Sequence, residues 1–180
     1  MKKMGFEYYM PAYHVNSPET IQKILDSFTN GVGELYTTIE DGYWAGNGMY
    51  FWDNTGNADY WVRQRKHKGL SSKVMGTSLL IDEDSILDLT NENVLNSFER
   101  LWPMVAEKLG VDQECSPGKK VNSICEVFEK IKIVKLCGYY PKKKEHPFFD
   151  NSSTPQMTIK ARIIFCVKDI DRLSGATNIE

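Results

Sequence analysis

Apolar and polar residues follow two different periods along this chain, and the switches between them mark out its elements. The first apolar block, around Tyr8–His14, is aromatic and β-prone, and reads as an opening strand. Within "NSPETIQKILDSFTNG", Ile21, Ile24, Leu25 and Phe28 then recur at helical spacing. Ser17 suits the N-cap, Pro18 the first helical position and Glu19 the positive helix end, with Gly31 as the stop. "GELYTTIEDGYWAGNG" holds a short β-rich run closed by a turn signal at Asp41 and Gly42. "MYFW" is apolar on both faces, as in a buried strand, and Asn57 suits the cap of a helix carrying Ala58, Trp61 and Val62 to Gly69. "KVMGTSLLIDEDSILDL" reads as strand, turn and strand.

From Thr90 onward the period is helical again, through Val94, Leu95, Phe98, Leu101, Trp102, Val105 and Leu109. Pro103 lies inside that stripe and is expected to kink or split it, because it lacks the backbone N–H. "DQECSPGKK" reads as a loop. Val121, Ile124, Cys125, Phe128 and Ile131 suggest a further helix merging into the strand "IKIVKL". "GYYPKKKEHPFFDNSSTPQ" has the prolines and turn formers of a long loop, and "TIKARIIFCVKD" is the final strand. With no regular βαβ rhythm, the pattern predicts an α+β fold. We expect a single domain over 1–180, with a mainly helical insertion around 90–130.

Composition narrows the classes. The chain has 180 residues, 41% apolar and 26% charged, with a net charge of −2, so nothing global drives it toward nucleic acid or an acidic membrane. No apolar run approaches the ~20 residues of a membrane span. "MKKMGFEYYMPAY" carries Glu7 and three tyrosines where a signal peptide would be apolar, so the expected compartment is the cytoplasm. Cys115, Cys125, Cys137 and Cys166 form no C-x-x-C pair and read as reduced thiols, and His14, His67 and His146 show no metal-ligand spacing. No metal is expected. The phosphate-binding G-x-x-x-x-G-K-[ST] loop, the dinucleotide G-x-G-x-x-G after a strand, G-x-S-x-G and H-E-x-x-H are all missing.

What remains is a constellation in the first third: a strand ending in "YH", a capped helix, "GNGMYFWD", then "NADY". These residues resemble the ADP-ribosyltransferase family, in particular the diphtheria-toxin-like branch that includes the poly(ADP-ribose) polymerases. The resemblance implies an α+β fold with a split antiparallel β-sheet core and surrounding helices, and NAD as substrate. It implies that His14 bonds the adenosine ribose and that Tyr50 and Tyr60 sandwich the nicotinamide. Val15 would donate its backbone amide to the carboxamide, and Asn57 would stand near the family's serine. A planar cationic ring between aromatic faces is sound physics, and Gly46 and Gly48 would let backbone approach the ligand. On the late strand the family's catalytic Glu falls at Ile164, with Gln156 as a polar alternative. That implies transfer of a single ADP-ribose to a protein or nucleic-acid acceptor, with no role for a membrane.

Other readings stay open beside it. Ile164 and Val15 fit an inactive NAD-binding or interaction module of the same fold. Arg63, Arg65 and Arg162 would serve an RNA 2'-phosphotransferase-like enzyme, which resembles the same fold. Tyr50 within "MYFW" and the Tyr60-Trp61 pair also fit plain core packing, and the basic run from Arg63 to Lys68 fits a solvated helix face.

Overall fold

The computed structural model describes residues 5–39, 42, 44–141, 144 and 158–179. The first strand, β1 (Glu7–Asn16), runs its whole length against β3 (Lys73–Asp82), from Glu7 opposite Asp82 to Asn16 opposite Lys73. β7 (Leu173–Ile179) adds to the outer side of β3. On the other side lie β2 (Met49–Trp52), β6 (Ala161–Val167), β5 (Ile133–Tyr139) and β4 (Ile86–Asp88). The order across the seven-stranded sheet is β4-β5-β6-β2-β1-β3-β7. Every pairing is antiparallel except β4 with β5, so the sheet is mixed rather than wholly antiparallel. β1 and β2 meet at one residue pair only, Tyr13 opposite Trp52. The sheet therefore consists of two blades joined at a narrow seam.

Among the described residues four α-helices cover the blades. α1 (Pro18–Thr29) buries Ile21 and Ile24 against Phe51, Met75, Leu79 and Phe165. α3 (Glu92–Leu109) and α4 (Pro117–Val127), inserted between β4 and β5, bury Trp102, Val105, Val121 and Ile124 with Val134 and Cys166. Phe165 and Cys166 are neighbours on one strand, so these clusters lie on opposite faces of the sheet. α2 (Thr55–His67) places Ala58 among Val15, Trp52 and Ile164, on the α3–α4 face. The architecture is α+β, built on a mixed sheet.

Local chemistry explains the helix starts. The Ser17 hydroxyl accepts the N–H of Thr20 at 3.2 Å, with Pro18 at the first helical position. For α2 the cap is Asn54, not Asn57: Asn54 Oδ1 accepts the Asn57 N–H at 2.9 Å, which puts Asn57 inside the first turn. α4 begins at Pro117, within the stretch expected as a loop, because Ser116 and Pro117 are themselves a helix start. It ends at Val127, ahead of Phe128 and Ile131. α3 runs through Pro103 without a break, since Trp102, Val105 and Ala106 are buried on both sides of it. "GELYTTIEDGYW" forms no strand among its described residues; a lone bridge from Thr38 to Gly48 is all the pairing there. β7 was not evident, because "LSGATNI" has no apolar alternation and is mostly exposed. Most of the expected late loop, with Asp41 and Gln156, lies outside the described residues.

Candidate functional site

Where β1 and β2 part at the seam lies a cavity of about 290 Å³, lined from both strands and from α2. β1 contributes His14, Val15 and Asn16 to its wall, and β2 contributes Tyr50, Phe51 and Trp52. α2 presents Trp61 and Arg65. Ile164 comes from β6, Tyr140 from the residue after β5, and Thr38 and Trp44 from the chain that leads into β2. His14, Val15, Tyr50 and Ile164, far apart in sequence, are thus brought to one place.

Tyr60, Asn57 and Gly48 are not. Trp61, one residue on, takes the cavity wall on α2, while the Tyr60 ring turns to Tyr140 (centroids 5.1 Å, edge to face) and to the Arg162 guanidinium, 4.1 Å from its centroid. Asn57 is engaged within the protein. It donates to Asp53 Oδ1 at 2.7 Å and accepts from Arg162 Nη1. Gly48 faces β6, where an added Cβ would press on Cys166 Sγ and stand 2.8 Å from the Val167 carbonyl oxygen. Gly46, at φ +73°, lies as tightly against α4, with the Gly118 carbonyl oxygen 2.6 Å from an added Cβ. Both glycines allow close approach of protein to protein, not of backbone to ligand.

His14 is buried, and its Nδ1 lies 2.7 Å from the Tyr50 carbonyl oxygen. A carbonyl only accepts, so the proton sits on Nδ1, and Nε2 accepts from Asn16 Nδ2 at 3.3 Å. Burial drives the imidazole down to about 4; the bond to Tyr50 opposes this and Arg65 reinforces it. The ring is therefore neutral at physiological pH, with the Nε2 lone pair turned to Asn16. Tyr50 is held by a 2.6 Å bond from its hydroxyl to the Gly46 carbonyl oxygen.

The rest of the wall is aromatic. Trp44 stacks on Tyr140 at 6.2 Å and 28°, and Trp52 lies 6.1 Å from Trp61 and 6.5 Å from Tyr140. Gly138 makes room for Trp44, whose Cζ3 would stand 2.9 Å from an added Cβ. Burial pushes the Tyr140 phenol up to about 12, so it stays protonated. Among the described residues no carboxylate lines the cavity. Nor does any group of three or more His, Cys, Asp and Glu side chains there stand ready to hold a metal. No helix among them is long and apolar enough to cross a membrane. The arrangement suits a flat ligand held by ring faces, with one neutral imidazole and one guanidinium for polar contacts.

Trp61 was missed as a site residue and read only as packing, although Ala58, Val62 and Arg65 at helical spacing mark the face it shares. Trp44 and Tyr140 lie outside every strand and helix, where no periodicity marks them. Compared with family models, with curated proteins and with solved structures, the chain shows no significant match.

Proposed function

We propose that the protein binds NAD at the seam and transfers one ADP-ribosyl unit to a macromolecular acceptor, releasing nicotinamide. The observation that carries this reading is the meeting of His14, Tyr50 and Ile164 in one aromatic cavity where β1 and β2 separate. Trp61 replaces Tyr60 as the second ring of the nicotinamide clamp. In the reaction the ribose C1'–N bond breaks and its electron pair leaves with nicotinamide. The acceptor's nucleophile bonds to C1' and gives up a proton to water. The four cysteines are free thiols, which fits a reducing cytoplasm.

A second reading, binding without turnover, draws on Ile164: an apolar group stands where a carboxylate would stabilise developing charge on the sugar. Thermal unfolding with and without NAD, run beside chromatographic detection of released nicotinamide, separates the two. NAD is expected to raise the melting temperature of the wild type and of Tyr60→Phe. Trp61→Ala should weaken binding by about ten-fold, the loss of one good stacking face. Nicotinamide release that needs His14 supports transfer, and stabilisation with no release supports the binding module. A chain that NAD leaves unshifted removes both.

A further inference from the structure

Arg65 lines the cavity and Arg162 lies behind its Tyr140 wall, while among the described residues no carboxylate lines it. Arg65 lines it directly, its guanidinium anchored by a 2.8 Å bond from Nε to Ser72 Oγ. Arg162 stands behind the wall on the same face of β6 as Ile164, two residues away. Only 5% of Arg162 is exposed, and its Nε is buried with no hydrogen-bond partner. Its Nη1 donates to a neutral amide, Asn57, and its guanidinium lies 5.9 Å from the centroid of Tyr140 in the cavity wall. Asp53 acts on Arg162 electrostatically, but it accepts bonds from Asn54 and Asn57 and makes no ion pair with the guanidinium.

We propose that this cavity selects a planar heteroaromatic ring carrying no positive charge, such as a free pyridine carboxamide, over the corresponding pyridinium. The proposal rests on the reading above that the cavity holds a flat heteroaromatic ring. Aromatic walls by themselves attract cations. Here one of them, Tyr140, already has a guanidinium close to its ring, and Arg65 adds a second at the edge. Among the described residues no carboxylate lines the cavity, and screening in a partly buried site is weaker than in water, so repulsion from two guanidiniums outweighs what the remaining rings offer a cation. His14 reports the same environment from within, since its own cationic form is disfavoured by burial and by Arg65.

The selectivity has a chemical consequence. In NAD the pyridine ring is cationic while it is bonded to ribose, and it departs neutral once the bonding pair has passed to its nitrogen. A pocket that resists the first state and accepts the second favours cleavage over ground-state binding.

Three ring probes test the proposal by isothermal titration: nicotinamide, the N1-methylnicotinamide cation, and the neutral N-methylpyridone carboxamide, which controls for the methyl group. In the wild type the cation is expected to bind about ten-fold more weakly than the neutral methylated control. Arg65→Gln and Arg162→Gln together should bring that ratio close to one. Arg65→Gln alone, at a partly exposed position, should narrow it by about three-fold and serves if the buried substitution prevents folding. A cation that binds the wild type as well as the neutral control overturns the charge selection and leaves the ring-binding reading intact. Failure of all three rings to bind overturns the ring-binding reading itself.

Discussion

Two partners and burial together set what His14 can do. Its Nδ1–H is committed to the Tyr50 carbonyl, and its cationic form is opposed by the surrounding protein down to about pH 4. The free imidazole titrates near 6.5. Between those values the unfolded chain takes up a proton that the folded chain refuses. Stability from this site is thus complete above about pH 6.5 and is lost as the pH falls toward 4. The wild type should lose about 3 kcal/mol more than His14→Gln between pH 7 and pH 4, read from urea unfolding. Parallel curves for the two proteins would show that the imidazole takes its charge freely in the fold. The sequence marked His14 because "GNGMYFWD" and "NADY" follow it; on an aromatic strand alone it would read as a buried histidine. The resemblance pointed to Tyr60, but its neighbour Trp61 takes the wall, 100° round a helix that is capped by Asn54 instead of Asn57.

Elements followed their apolar periods where packing agreed with them and departed where packing won. The α1 helix was readable because cap, proline and stripe all pointed the same way. Pro103 misled, because a missing hydrogen bond is local, whereas Trp102, Val105 and Ala106 hold both halves of α3 against the sheet. The proline ring is exposed, so Pro103→Ala should restore a backbone bond at no cost in packing. We expect it to stabilise the protein by about 2 kcal/mol, measured as an upward shift in the denaturant midpoint. No change would mean that the helix is already distorted at that turn. The glycines before β2 make the opposite case. Gly48→Ala should cost at least about 2 kcal/mol, since the new methyl group meets Cys166 and the Val167 backbone on a strand that cannot retreat. A variant that melts with the wild type would show that β6 yields there. Only the folded register shows what these glycines are for, because their partners lie on α4 and β6, far along the chain.

At the scale of the molecule, the class α+β could be read from interleaved periods, but the strand order could not. β6 reaches β2 from far along the chain, and the parallel pair β4–β5 forms only because the α3–α4 insertion carries the chain back across the sheet. The candidate cavity follows from that order, since it sits where the blades separate and draws on both. Bound NAD should therefore slow amide exchange on the two sides at once, around Tyr13–Asn16 and around Tyr50–Trp52, in exchange mass spectra of the free and bound protein. Protection of one side alone would place the ligand off the seam.

The lone Tyr13–Trp52 pair has a further consequence. Little backbone pairing joins the blades, so they are coupled through side chains: under α1 one core takes Met75 and Leu79 from one blade and Phe51 and Phe165 from the other. A buried alteration in either blade is therefore felt in the other through that shared core, and the cleft between them registers both.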